Sequence, residues 1–237
     1  MTANYVPLNS TQHREFKIKD SRTFDHVKSE QLVPVVMHEF GRVAADLPVV
    51  FVKDGENGKF LPVALMGLQP QENVFCDGAE WAFGYVPMAM RRYPFSLQFD
   101  GEDKTKVVMC IDENSAQLSK AEGNALFDDK GEQSDFLKAR AENVIRFVEQ
   151  AQVTGKAIEL LVEKDLLESR QLNVQLENGK NYSLNGVYVV NEKKFAELKD
   201  EDFAELRKRG LLPVIYAHLL SLQQVQKIAM KKLAQGK

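Results

Sequence analysis

The sequence predicts an α+β fold with a mostly antiparallel sheet, a long helix, a second β-hairpin and C-terminal helices. Three patterns carry that expectation. Pairs of β-type segments flank short turns rich in Gly, Asn and Asp; a run after Ser134 repeats apolar residues at helical spacing; and the stretch 213–233 does so again. At 237 residues and 44% hydrophobic content the chain buries a real core and is read as a single domain. If that domain divides, the boundary falls near 112–133, where Asp, Glu, Asn, Ser and Gly crowd around a few anchors such as Leu118, Leu126 and Phe127.

Taken in order, Val36, Phe40, Val43 and Ala44 recur at helical spacing and predict a short helix within 34–46. Residues 46–53 read as a strand opened by Pro48, 54–58 as a turn, and 60–66 as its partner strand. The stretch 61–99 then bends repeatedly, because Gly67, Pro70, Gly78, Gly84, Pro87 and Pro94 interrupt regular elements. Residues 95–99 and 106–111 read as β around a polar turn at 101–104, so four strands of one antiparallel sheet are expected from the first half.

Ser134 is positioned to cap a helix with Leu137, Ala141, Val144, Val148 and Ala151 on its apolar stripe; Gly155 challenges its continuation. Residues 171–190 form a second hairpin. Matching apolar residues across it favours Leu176 opposite Tyr182 and Val174 opposite Leu184, with a bulged three-residue turn Asn178-Gly179-Lys180. Asp200 is expected to cap a helix that ends at Gly210. The last helix carries Ile215, Leu219, Leu222, Val225, Ala229 and Leu233 on one stripe, with Lys227, Lys231 and Lys232 suited to a helix C-terminus.

Composition excludes several classes. A formal net charge of −3 supplies no broad attraction for nucleic acid or an anionic membrane, and neither is expected as a partner. No apolar run reaches the ~20 residues that span a bilayer, and the first twenty residues lack a Sec-type signal pattern. A cytoplasmic location is therefore expected, with export by a signal-less route left open. Cys76 and Cys110 have no paired-motif spacing and read as reduced, structural thiols. His13, His26, His38 and His218 show no ligand spacing, so neither a metal nor a cofactor is expected; His218 reads as a hydrogen-bonded residue at the edge of the last helix's apolar stripe. Phosphate-binding Gly-rich loops and a nucleophile elbow are missing from the sequence as well.

Two groups remain as candidates for chemistry. Trp81, Tyr85, Arg91, Arg92, Tyr93 and Phe95 place aromatic faces beside guanidinium forks, which suits a ligand or partner site and equally suits an internal clamp. Asp77, Asp112 and Glu113 would supply an acid/base pair if their strand ends converge, and would otherwise serve as turn residues. No catalytic residue is assigned.

Ordered blocks along the chain carry a family resemblance: Leu47-Pro-Val-Val-Phe51, Pro62-Val-Ala-Leu-Met-Gly-Leu68, Tyr85-Val-Pro87 with Arg91-Arg-Tyr-Pro-Phe95, Ile111-Asp-Glu113, Gly186-Val-Tyr-Val-Val190 and Tyr216-Ala-His-Leu-Leu-Ser221. On these residues the chain resembles the bacterial SapC family. The family's name reflects an association with a paracrystalline surface layer. Its members often lie beside outer-membrane receptor and halogenase-like genes, which implies a part in nutrient uptake or its control. The resemblance implies no catalytic residues. The expected function is a non-enzymatic binding or assembly protein with an unidentified protein or small-molecule partner, a homo-oligomer being compatible with it. The alternatives are a carboxylate-dependent enzyme acting on a carbohydrate or peptide, and a surface-layer subunit.

Overall fold

The computed structural model describes residues 3–20, 23–55, 57–77, 80–100 and 103–236, with the backbone alone at 77 and 103–105. It is an α+β protein whose largest sheet is antiparallel and five-stranded, in the order Leu167–Gln175, Asn181–Val190, Val49–Lys53, Phe60–Leu65, Leu32–Pro34. A second antiparallel sheet sets Asp103–Asp112 between Tyr5–Pro7 and Phe95–Asp100. The four strands expected to share one sheet are thus divided between two. Hairpin pairing is local and follows from turn residues, whereas the choice of sheet is made by distant partners. Here Val187 and Tyr188 of the second hairpin take the edge of Val49–Lys53, across from Val52 and Phe51. Glu56 of the first turn, and Gly101 and Glu102 of the turn at 101–104, lie outside the described residues.

The helix after Ser134 runs Asp135–Glu163, with the Ser134 hydroxyl accepting from Leu137 N at 3.2 Å. It continues through Gly155. A mid-helix glycine costs ~1 kcal/mol, while burying Ile158 and Leu161 beyond it contributes roughly 1.5–3 kcal/mol each. The buried face is Leu137, Val144, Phe147, Thr154, Ile158 and Leu161; Val148 is half-buried and Ala151 exposed, so the stripe drifts from the one expected. Thr154 holds its place by accepting from Met37 N at 3.0 Å while donating to Gln150 O. The helix joins two apolar clusters. Leu137 and Val144 pack with Ile18, Phe95, Ile111, Leu126 and Phe127, while Ile158 and Leu161 belong to the larger cluster under the five-stranded sheet. The polar stretch 112–131 is therefore anchored through Leu126, which is fully buried.

The second hairpin has a three-residue bulged turn, but Val174 faces Tyr182 and Leu172 faces Leu184, two residues from the expected pairing. The loop is Glu177-Asn178-Gly179, closed by Leu176 N donating to Lys180 O at 2.8 Å. In such a turn the left-handed conformation falls on the third loop residue, and Gly179, at φ +84°, is the residue that takes it without strain. Apolar alternation sets which face a residue occupies; it does not distinguish registers two residues apart.

The helix Asp200–Lys208 begins one residue earlier than expected, with Lys199 at the cap position and Asp200, Glu201 and Asp202 in its first turn. The final segment divides into Leu212–Ser221, a 3₁₀ turn Leu222–Gln224 and Val225–Ala234. Ser221 Oγ donates back to His218 O at 2.6 Å and accepts from Val49 N at 2.9 Å, a back-bond of the kind that bends helices. Its buried face includes His218 and Lys232, polar residues placed outside the apolar stripe by spacing alone.

Candidate functional site

Where the two sheets approach, a cleft of about 590 Å³ is lined by Tyr5, His26, Arg92, Tyr93 and Asp112, with the exposed carboxylates Asp25 and Glu30 also on its wall. Asp112 ends the central strand of the smaller sheet, paired across from Tyr5. It is 3% exposed, and three donors hold it: Asn4 N at 2.8 Å and Asn114 N at 3.1 Å on Oδ1, and the Tyr93 hydroxyl at 3.0 Å on Oδ2. Tyr93 stacks on the His26 ring with centroids 3.9 Å apart and planes 5° from parallel. Burial, together with the hydrogen bond to Asp112, pushes the Tyr93 hydroxyl up to about 12. The Tyr5 hydroxyl is raised as well, chiefly by burial.

Burial also pushes His26 down to about 4, outweighing its hydrogen bond to the Met90 backbone and the nearby charges of Asp25 and Asp112. Its Nε2 is buried without a hydrogen-bond partner. Arg92 completes the wall. Its guanidinium lies 5.1 Å from the Phe147 ring centroid, its Nε is buried and unpartnered, and it forms no ion pair among the described residues. Burial lowers its pKa, and the nearby Tyr5 acts in the opposite direction.

The structure separates the candidates named from the sequence. Arg92, Tyr93 and Asp112 meet in the cleft. Trp81 instead donates its indole N–H to Tyr85 O at 2.8 Å and packs among Phe24, Phe75 and Phe83. Tyr85 donates to Glu39 Oε2 at 2.8 Å, with the guanidiniums of Arg91 and Arg42 over its ring at 5.4 and 5.6 Å. Glu39, 1% exposed, also accepts from Val36 N and Met88 N, so this group fastens irregular backbone. Phe95 is fully buried in the smaller cluster. Glu113 does not line the cleft, and its carboxylate lies 3.4 Å from His13 Nε2. Asp77 pairs with Glu80 through backbone, and its side chain lies outside the described residues.

Sequence reasoning did not select Tyr5 or His26. Neither sits in a motif, and His26 reaches Tyr93 only through the fold. The other strongly shifted histidine, His218, is fully buried; its Nδ1 lies 2.7 Å from Val49 O and its Nε2 accepts from Val190 N at 3.0 Å. Burial pushes it down to about 4.

Both histidines are therefore neutral in the folded protein where an unfolded chain begins to bind protons, near pH 6.5. Their stabilising contribution is full above that pH and is lost as pH falls from about 6.5 toward 4. Urea unfolding at pH 7 and pH 5 is expected to show a loss of about 2 kcal/mol per histidine, and His26→Gln should remove its share of the slope.

No group of three or more His, Cys, Asp or Glu side chains positioned to hold a metal occurs among the described residues. Cys76 and Cys110 are buried and unpaired. No described helix is long and apolar enough to cross a membrane.

The fold and cleft together define an α+β protein whose concave site, at the junction of two antiparallel sheets, combines an arginine that has no ion pair among the described residues with a tyrosine-bound aspartate. The chain belongs to the SapC family, whose pattern it matches over residues 8–228. No curated protein and no solved structure matches it.

Proposed function

We propose that this SapC-family chain is a binding protein that holds a small carboxylate-bearing ligand in the cleft, with Arg92 as the anchoring group. The observation that carries the reading is the guanidinium of Arg92, which lines the cleft without an ion pair among the described residues. A guanidinium fork matches a carboxylate, and the cleft volume lies within the range of small-molecule sites. Tyr5 and Tyr93 add hydroxyl-bearing walls. A binding role is favoured over carboxylate catalysis because Asp112 already accepts three hydrogen bonds, and its neighbour Glu113 is turned toward His13. The connection to cell-envelope or nutrient-uptake systems rests on the family resemblance. A cytoplasmic setting is proposed on the two buried, unpaired thiols, which suit a reducing compartment, and cell fractionation tests it.

The test of the site is a calorimetric screen of small mono- and dicarboxylates against wild type and Arg92→Met, which keeps an aliphatic stem beside Phe147. At least one carboxylate is expected to bind wild type, and Arg92→Met to weaken it by about tenfold or more, since a charged hydrogen bond contributes roughly 1.5–3 kcal/mol. Equal affinities in the two proteins reject the assignment.

A further inference from the structure

Residues from three helices line a second recess of about 430 Å³ that shares no residue with the cleft. Phe195 from Glu192–Ala196 is 8% exposed and forms its floor. Phe203 from Asp200–Lys208 and Tyr216 from Leu212–Ser221 rise on it, with centroids 6.0 and 5.7 Å from that of Phe195. The rings are inclined to Phe195 by 41° and 79°, so they wall the recess from different directions. Phe203 and Tyr216 remain 37% and 50% exposed, which for large aromatic side chains leaves substantial apolar surface open. Glu192 and Asp200 line the same recess, no basic side chain does, and neither carboxylate forms an ion pair or side-chain hydrogen bond among the described residues.

We infer that this recess binds an alkylated ammonium group of the choline type. Aromatic faces carry negative quadrupole potential, and two carboxylates beside them add formal negative charge without a competing cation. A primary ammonium or a guanidinium would direct its N–H donors to Glu192 and Asp200 and leave the ring faces uncovered. A trimethylammonium group has no such donors, spreads its charge over methyl groups and presents an apolar coat to Phe203, Tyr216 and Leu219. Because the carboxylates stand beside the rings, a ligand with net positive charge is preferred to a zwitterion carrying the same headgroup.

Calorimetric titration of the full chain with choline, glycine betaine and 3,3-dimethylbutan-1-ol, the neutral shape analogue of choline, tests this directly. Choline is expected to bind about tenfold more tightly than the neutral analogue, with betaine between them. Tyr216→Leu, at an exposed position, should weaken choline about tenfold while changing the alcohol by less than about twofold. Phe203→Leu serves as the independent second variant should Tyr216→Leu unfold. Sedimentation with phosphatidylcholine vesicles distinguishes the source of the group: vesicle binding without free-choline binding assigns a lipid headgroup, and the reverse assigns a free small molecule. Equal affinity for choline and its neutral analogue overturns the inference, as does failure to bind either choline or vesicles.

Discussion

Glu72→Gln is expected to lower the unfolding free energy by about 3–5 kcal/mol, the range for removing one partner of a buried ion pair. Glu72 and Lys232 form that pair, with the lysine side chain fully buried and the glutamate side chain 13% exposed. The ammonium also lies 4.6 Å from the Tyr182 ring centroid, and the carboxylate accepts from Leu68 N at 2.8 Å. Gln preserves an acceptor for Leu68 but leaves the ammonium without a counter-charge inside the protein. The double variant Glu72→Gln/Lys232→Met removes both charges while keeping the volume, so it should recover most of the loss. Urea or guanidinium unfolding of the two single variants and the double variant measures the coupling. Additive losses would show that the two charges do not act as a pair.

The second large effect is expected at His218. His218→Ala leaves Val190 N and Val49 O without their imidazole partners in the core and opens a space beside Phe51, whose ring centroid lies 4.9 Å from that of His218. Each orphaned buried group costs roughly 1–3 kcal/mol, so a loss of about 4 kcal/mol is expected, near the limit that a domain of ordinary stability tolerates. Because the imidazole bridges two neighbouring strands of the large sheet to the helix Leu212–Ser221, amide exchange at Val49 and Val190 should accelerate first. His218→Gln, with a donor and an acceptor, should lose less. Equal loss in both variants would mean that packing, and not the bridge, sets the cost.

Both residues show where reading the chain alone stops. Lys232 reads from the sequence only as a cation suited to a helix C-terminus, because its acceptor Glu72 lies in an irregular stretch 160 residues away. His218 was legible as a hydrogen-bonded residue, but its place deep in the core depends on two strand backbones whose pairing is itself non-local. The arginine-tyrosine run shows the same division. Adjacent residues Arg91 and Arg92 part company, one lying over Tyr85 and the other lining the cleft, because both keep helical backbone and successive residues of a helical turn project about 100° apart. Further walls of the cleft, Tyr5 and His26 among them, belong to an N-terminal segment without periodicity.

The sequence by itself determined the fold class, the long helix after Ser134, both hairpins and the family, since periodicity, caps, turn residues and ordered blocks are local properties of the chain. Tertiary structure alone decided which hairpins share a sheet, which of two same-face registers the second hairpin adopts, and which polar residues enter the core. It also decided that Arg92, Tyr93 and Asp112 meet while Trp81, Tyr85 and Phe95 pack as supports. The physical reason is the same throughout: a buried polar group is placed by the partner that satisfies it, and that partner is brought near only when the chain has folded.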